Sequence, residues 1–329
     1  MSLKNISKVL LHTLSDGDFH SGEQLGEQLG ISRAAVWKQL QKLDSLGLTV
    51  ESIRGKGYRL QQRIDFLSQA TIESFLSPAL SPFPQLQIHD VLDSTNAHLL
   101  RCLQQQSFSN GYCVVAEMQE AGRGRRGRQW HSPFGQNLYF STLWRFEQGM
   151  AVLDGLSLMV GLATLRALQH VSDQRFELKW PNDLLFQGQK LAGILLEVVG
   201  DPTGVCHVVM GVGINVNSGK DLAQSPIDQA WTSLHDIEGH TVDRSRLLAA
   251  ILNELIPALS EFEQYGFAAF AEQWKQYDAF YAQEVFLQLG DKTIYGVADG
   301  VSDSGELRLI NHNGLQLFNG GEVSLRRMM

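Results

Sequence analysis

Residues 21–60 read SGEQLGEQLGISRAAVWKQLQKLDSLGLTVESIRGKGYRL, and the N-terminal part of the chain is decided there. Ser21-Gly22-Glu23-Gln24 fits a capping box, Leu25 and Leu29 are the buried positions behind it, and Gly30 stops the run. Ser32 can cap a further helix, in which Val36, Leu40 and Leu43 recur at i, i+4 and i+7. Leu46 and Leu48 carry the apolar pattern past a stop at Gly47. Upstream, Ile6, Val9, Leu10 and Leu14 predict another amphipathic helix. Downstream, TVESI and YRL flank Arg54-Gly55-Lys56-Gly57, which predicts two short strands about a glycine turn.

Three short helices followed by a basic hairpin make a winged helix-turn-helix, expected over residues 1–63. With its apolar stripe inward, the third helix turns Ser32, Arg33, Ala34, Trp37, Lys38, Gln41 and Lys42 outward as candidate DNA contacts. Arg54, Lys56 and Arg59 would add backbone contacts from the wing. The charge agrees: residues 1–63 hold nine Lys and Arg against six Asp and Glu, whereas the remainder holds 18 against 29. A basic head on an acidic body suggests that only the head meets a polyanion. A solvated basic face would explain the charge equally well, but not Trp37 outside the core stripe. That tryptophan stands where a polar, base-reading residue is expected.

The whole chain, 329 residues with 43% hydrophobic and 19% charged, suits two or three packed domains rather than a disordered protein. No run approaches the roughly 18 apolar residues of a membrane span, and the N-terminus lacks a signal-peptide cleavage pattern. Cys102, Cys113 and Cys206 show no CxxC spacing and read as reduced thiols. The expectation is a cytoplasmic protein without membrane contact.

Residues 64–278 form the expected central body. Residues 64–108 read as helix and loop, with an exposed break at SPALSPFP. From Tyr112 the apolar runs YCVVAEM, NLYFSTLWRF, FELKW, KLAGILLEVV and VCHVVMGVGINVN predict strands, with a long amphipathic helix near Leu153–Val171. Short turns between them predict a largely antiparallel or mixed sheet with helices on one face, an α+β layer. From residue 279 to 329, short alternating segments with glycine turns predict a small SH3-like β barrel.

Four segments of the body carry chemistry. Gly122-Arg123-Gly124-Arg125-Arg126-Gly127-Arg128 crowds four guanidiniums too closely for regular structure, but suits wrapping an anion. Lys179-Trp180-Pro181-Asn182-Asp183 predicts an extended chain with a polar end. Lys190 follows in an apolar strand, where a buried ammonium needs an anionic partner. Asp93-Ser94-Thr95-Asn96 precedes a helical stretch and has helix capping as its plain reading. Gly211-Val212-Gly213-Ile214-Asn215 is half a dinucleotide fingerprint without its last glycine. No Walker A run, HExxH or nucleophile elbow occurs, so the chemistry suggested is positioning and electrostatics without a covalent nucleophile.

In order and spacing, DSTN at 93–96, QEAGRGRRGRQW at 119–130, KWPNDL at 179–184, KLAGIL at 190–195 and GVGINV at 211–216 resemble the bifunctional biotin protein ligases that also repress biotin synthesis genes. The resemblance spans nearly the whole chain and extends to the winged helix. It implies ATP-dependent formation of biotinyl-5′-adenylate with release of pyrophosphate, then transfer of biotin to a lysine of a biotin carboxyl carrier protein. It implies Ser94, Thr95, Asn96, Gln119, Arg123, Gly124, Arg125 and Lys190 at the biotin site, with Lys190, Arg125 and Asp183 in the chemistry. Arg128, Asn182, Asn215 and Trp231 would serve the adenylate, and Asp183 would stand near Mg²⁺. Trp231 follows a polar loop at 218–229. ATP, Mg²⁺ and biotin are the small molecules expected, with no tightly bound prosthetic group; operator DNA and a ligand-dependent homodimer complete the partners. Two other readings stand beside it: a ligand-sensing repressor without catalysis, and a lipoate ligase, which shares the catalytic fold.

Overall fold

A computed structural model describes residues 8–82, 84–219, 229–289, 292–320 and 323–327. The head comprises α1 (Lys8–Leu14), α2 (Gly22–Leu29), α3 (Arg33–Leu40), and the hairpin β1 (Val50–Ile53) and β2 (Gly57–Leu60). Ser21 and Gln24 make the capping box expected of them, and Gly30 closes α2 in the left-handed conformation. The third helix is shorter than its periodicity suggests. It ends at Leu40, and Gln41–Leu46 continue as a 3-10 turn that still buries Leu43. Ile6 lies outside the described residues, and Val9 is 47% exposed, so Leu11 fills the buried position beside Leu10 and Leu14. Gly57 is required where the wing meets the chain before α2: a Cβ there would run into the His20 carbonyl. His20 and Tyr58 exchange both backbone hydrogen bonds at 2.8 Å, adding a bridge to the hairpin.

The body begins with α4 (Gln69–Phe75). A strand then appears where helix and loop were expected: β3 (Leu86–Leu92), before α5 (Thr95–Leu103) and β4 (Cys113–Gln119). After β4 come β5 (Leu138–Phe146), α6 (Leu156–Leu168), β6 (Glu177–Lys179), β7 (Asp183–Phe186), β8 (Gln189–Gly200) and β9 (Cys206–Ile214). The seven strands form one mixed sheet in the order β3-β4-β5-β9-β8-β7-β6, parallel only between β3 and β4. Helices α7 (Leu234–Glu238), α8 (Arg244–Tyr265) and α9 (Ala268–Gln276) follow.

Strand alternation sorts the two faces of this sheet. Cys113, Val115, Phe140, Val208 and Met210 face one core with α6 and α8, while Val114, Leu143 and Val209 face Leu99 of α5. Helices therefore cover both faces, not one. Helix α6 starts three residues later than expected, after the left-handed Gly155, and it is buried nearly all round rather than amphipathic. It lies between the sheet and α8, so it has no solvent side to mark with polar residues.

The C-terminal strands β10 (Glu284–Leu289), β11 (Lys292–Val301), β12 (Leu307–Asn311), β13 (Gly314–Phe318) and β14 (Val323–Arg327) form an antiparallel sheet ordered β13-β12-β11-β10-β14. Barrel closure between β13 and β14 is not among the pairings of the described residues. Val285, Leu287, Leu307, Leu309 and Leu325 join the main core of the body. Trp180, 1% exposed, fastens the two together by donating from Nε1 to the Gly305 carbonyl at 3.1 Å. Head and body meet at Phe134, which packs in the head's core with Ile64, and at the Lys8–Asp90 ion pair of 2.6 Å. All three cysteines are free, and among the described residues no helix is long and apolar enough to cross a membrane.

Candidate functional site

On the face of the sheet that α5 covers, β8 and β9 pair Gly193 with Gly213 and Leu195 with Gly211. These glycines strip the sheet of side chains and leave a floor. A Cβ on Gly211 would run into Asn96 Oδ1, and one on Gly213 would come within 2.5 Å of the Trp130 ring. The half fingerprint of the GVGIN segment is thus mid-strand spacing for two side chains, not a phosphate turn. Over this floor lies a cavity of about 1290 Å³.

The DSTN segment enters the cavity at the start of α5. Ser94 caps the helix, accepting from the Ala97 amide at 3.4 Å, so the plain reading of that residue holds. Thr95 donates its amide to Gln119 Oε1 at 2.9 Å, and Gln119 Nε2 reaches Ser132 Oγ at 3.0 Å. The Ser141 hydroxyl bridges Thr95 Oγ1 at 2.7 Å and Asn96 Oδ1 at 2.5 Å. Asn96 Nδ2 donates to Glu197 at 2.8 Å. Ser94, Thr95 and Asn96 are 3%, 4% and 3% exposed, so the cavity wall is a pre-ordered polar network rather than a set of loose side chains.

The arginine-glycine loop is more ordered than its composition suggests. Gly124 donates to the Arg128 carbonyl at 2.7 Å and Trp130 to Gly122 at 2.9 Å, making a tight hairpin with Arg126 left-handed at its tip. The like charges are separated rather than crowded. Arg123 pairs with Glu197 at 3.0 Å, while Arg125 turns inward and donates to Asn182 Oδ1 at 3.0 Å and to the Gly320 carbonyl. Arg126 and Arg128 stay exposed along the cavity rim, and Gly124 also borders the cavity.

The charged centre comes from the KWPND segment and β8. Trp180–Pro181 is cis, and the segment makes the turn from β6 to β7 instead of running extended. That turn places Lys179 opposite Asp183, and the β7–β8 hairpin brings Lys190 to the same carboxylate. Lys190 Nζ lies 2.6 Å from Asp183 and 5.4 Å from the centre of the Trp130 ring. Lys179 Nζ lies 3.9 Å from Asp183. Burial pushes the Lys179 ammonium below its ordinary value, with Asp183 opposing the shift. Burial likewise lowers the Arg125 guanidinium, and Asp183 again opposes it. Lys190 and Lys179 thus flank one carboxylate, with Arg125 on the wall of the same cleft, an arrangement suited to an anionic substrate.

Trp231 reaches the cavity because residues 230–232 dock on β8, through Lys190 N to Ala230 O and Thr232 N to Lys190 O, both 3.0 Å. Asn215 supports that segment by donating to the Thr232 carbonyl at 3.1 Å, and Asn182 ties down Ile194 at 2.9 Å. Both asparagines line the cavity as supports of other groups. Of the polar loop expected at 218–229, residues 220–228 lie outside the described residues. Sequence reasoning missed Trp130, Lys179, Ser141 and Glu197. The first two sit inside the quoted motifs, and Glu197 shares the face of Gly193 and Leu195 by alternation; Ser141 gave no signal. It also missed that Leu46, Gly47, Leu48 and Gln62 of the head border the same cavity.

The candidate DNA face stands apart from this cavity. Arg33, Ala34, Trp37, Lys38 and Gln41 are exposed, as are Arg54 and Lys56 at the hairpin turn. Ser32 serves as the N-cap of α3, accepting from Ala35 at 3.3 Å. Trp37 is 45% exposed, and its ring packs at a tilt against Tyr58, at 5.9 Å between centroids. Arg59 is held by Glu51 at 2.7 Å and lies over the Phe19 ring, which occupies its guanidinium within the head.

Comparison with known proteins agrees with this geometry. The pattern of the Biotin/lipoate A/B protein ligase family matches residues 88–215, that of an HTH domain residues 7–59, and that of the biotin protein ligase C-terminal domain residues 283–326. The chain is 42% identical to the bifunctional ligase/repressor BirA of Salmonella typhimurium, over 96% of each chain. It is 41% identical to BirA of Escherichia coli, again over 96% of each. Among solved structures, the biotin protein ligase of Aquifex aeolicus in complex with biotin and ATP covers 75% of this chain and all of its own, at 33% identity and a TM-score of 0.64.

Proposed function

This chain belongs to the biotin protein ligase family, and from that premise we propose that it activates biotin with ATP, transfers it to a carrier protein, and represses transcription when biotinyl-adenylate is bound. The observation that carries the enzymatic half is Lys190 and Lys179 flanking the Asp183 carboxylate, with Arg125, bonded to Asn182, on the wall of the same cavity. Two anions, the biotin carboxylate and the α-phosphate, have to approach one another, and these cations offset their repulsion. The carboxylate oxygen attacks the α-phosphorus, the bond to the bridging oxygen breaks, and pyrophosphate leaves. The carrier's lysine amine then attacks the acyl carbonyl, AMP departs, and the amine loses a proton. Lys190 and Arg125 stand where they can stabilise the charge that develops on the transferred phosphate, while Trp130 and Trp231 give the cavity its apolar walls.

Mg²⁺ belongs to this proposal. Asp183 supplies one carboxylate at the charged centre, and among the described residues no three His, Cys, Asp or Glu gather as a metal cluster. That fits an ion held chiefly by phosphate oxygens and water, with Asp183 as its protein ligand. Such an ion neutralises charge on the phosphates when bound.

The regulatory half rests on the head and on β8. Strand β7 covers β8 only as far as Gly193, leaving the Leu195–Gly200 half without a strand on that side among the described residues, and Val198 and Val199 are 36% and 48% exposed. A second copy can pair antiparallel along this edge and set two winged helices on a two-fold operator. The place of action proposed is the cytoplasm.

Incubation with ATP, Mg²⁺, biotin and a biotin carboxyl carrier domain tests the enzyme. Release of pyrophosphate and biotinylation of one carrier lysine are expected, and neither should be diverted by equimolar lipoate. Absence of both products would leave a ligand-sensing repressor; preference for lipoate would make the chain a lipoate ligase.

A further inference from the structure

Glu197 lies where three parts of the site converge. Its Oε2 accepts from Asn96 Nδ2 at 2.8 Å and its Oε1 from Arg123 Nη1 at 3.0 Å. Asn96 is 3% exposed and is held from its other side by Ser141 Oγ at 2.5 Å, in space that exists because position 211 is glycine. Arg123 stands at the base of the arginine-glycine hairpin, bridged across it to Gln129. The carboxylate therefore joins the rigid floor of the cavity to the root of the loop above it.

We propose that Glu197 is a positioning residue that anchors the arginine-glycine loop over the bound adenylate, through Arg123. The proposal rests on the reading of this cavity as the biotinyl-adenylate site. Three observations favour it over a plain surface ion pair. First, the Glu197 side chain is only 26% exposed and already carries a hydrogen bond from a buried amide, so it cannot swing freely to solvent. Second, the carboxylate engages the Arg123 guanidinium at the loop's root, so this arginine is held to the sheet while Arg125 reaches Asn182 on the other side. Third, the pair crosses from the loop to β8, so the loop cannot lift without breaking it. Arg123 thus differs in role from Arg125: it holds the loop, and Arg125 faces the ligand.

The test is the release rate of a non-hydrolysable biotinyl-adenylate analogue from the full chain, chased with excess biotin, for wild type, Glu197→Ala, Glu197→Gln, Arg123→Ala and the Arg123→Ala/Glu197→Ala double variant. Each single alanine variant is expected to speed release about fivefold, the scale of one partly exposed charge-assisted pair. The double variant should release no faster than either single one, because both remove the same link. Glu197→Gln keeps an oxygen for Asn96 and loses the charge, so it should reproduce most of the effect with an unchanged melting temperature. Multiplying rates in the double variant, or wild-type release from Glu197→Gln, would overturn the anchor. Failure of the wild-type chain to bind the analogue would instead overturn the proposed function, so the two failures are distinct.

Discussion

Lys190 and Arg125 bring positive charge into one cavity from different mechanical settings. Lys190 sits on a strand paired on both sides, with Asp183 at 2.6 Å; Arg125 sits at the tip of a hairpin and reaches across to Asn182 and Gly320. A fixed cation serves a transition state, whereas a cation on a lid retains what lies beneath it. Lys190→Ala is therefore expected to slow adenylate formation by about 10²–10³-fold, the scale of losing one preorganised charge. Arg125→Ala should mainly accelerate release of the intermediate, by on the order of tenfold. Stopped-flow formation and chase measurements separate the two, and identical defects in both variants would refute the division. Lys190 was legible in the sequence because an ammonium in an apolar strand demands a partner. The partner's position was not, because it depends on the register of the β7–β8 hairpin and the turn at Pro181. Trp37 was legible only as an anomaly, since its support is Tyr58, on a different element.

Two elements carry buried charge that no periodicity reveals. Arg244, the first residue of α8, is fully buried and pairs with Glu117 of β4 at 2.8 Å. Arg244 also donates to the Asn137 carbonyl at 3.0 Å and to Asp65, while Glu117 accepts the Leu67 amide at 2.7 Å. Head-to-body linker, sheet and helix are thus held by one ion pair. Arg244→Ala would strand Glu117 in the core and should cost about 3–5 kcal/mol, with Arg244→Ala/Glu117→Gln recovering part of it. Urea unfolding of the two variants checks this; equal losses would show that the stranded charge is not the cause. Asp278, where the chain after α9 pairs with Leu178 of β6, is pushed up to about 6 from 3.8, first by burial and further by Glu177, against the Phe280 amide that it accepts. Between those two values the folded chain holds a proton that the unfolded chain has released, so stability falls as pH rises through the window. Asp278→Asn should raise stability at pH 7.5 by about 1–2 kcal/mol and flatten the difference between pH 4 and 6, as read from urea midpoints. A wild-type-like pH profile in that variant would contradict it. Strand β3 escaped sequence reading for a related reason: LQIHDVL alternates poorly, and its partner, β4, lies parallel across the intervening α5. Helix α6 was legible as a helix but not as a buried one, because its polar boundary is set by α8 packing from elsewhere in the chain.

At the scale of the whole molecule, the cavity, the head and the exposed edge of β8 are physically continuous. Gln62 of the head accepts from Gln136 at 2.8 Å, and Asn137 Oδ1 accepts the Val216 amide at 2.8 Å just ahead of the polar loop. Glu197 lies on β8 one residue before the exposed Val198 and Val199. A ligand that fills the cavity therefore acts on groups that also border the head and the strand edge. On the proposed function, biotinyl-adenylate would bring a phosphate to the arginines and an apolar ring to the tryptophans, and so would hold the arginine-glycine loop down more firmly than biotin does. On the proposed function, the carrier would present its lysine at the same rim, so dimerisation and biotin transfer should compete for one surface. Bound adenylate is accordingly expected to strengthen dimerisation by roughly 1–3 kcal/mol, and operator affinity with it. Val199→Lys, which puts a charge on the unpaired edge, should weaken the dimer while leaving adenylate formation intact. Sedimentation at several protein concentrations, with and without the non-hydrolysable adenylate, measures this directly. A monomer–dimer equilibrium indifferent to the ligand would leave the ligase reading in place and remove this account of how the two activities are joined.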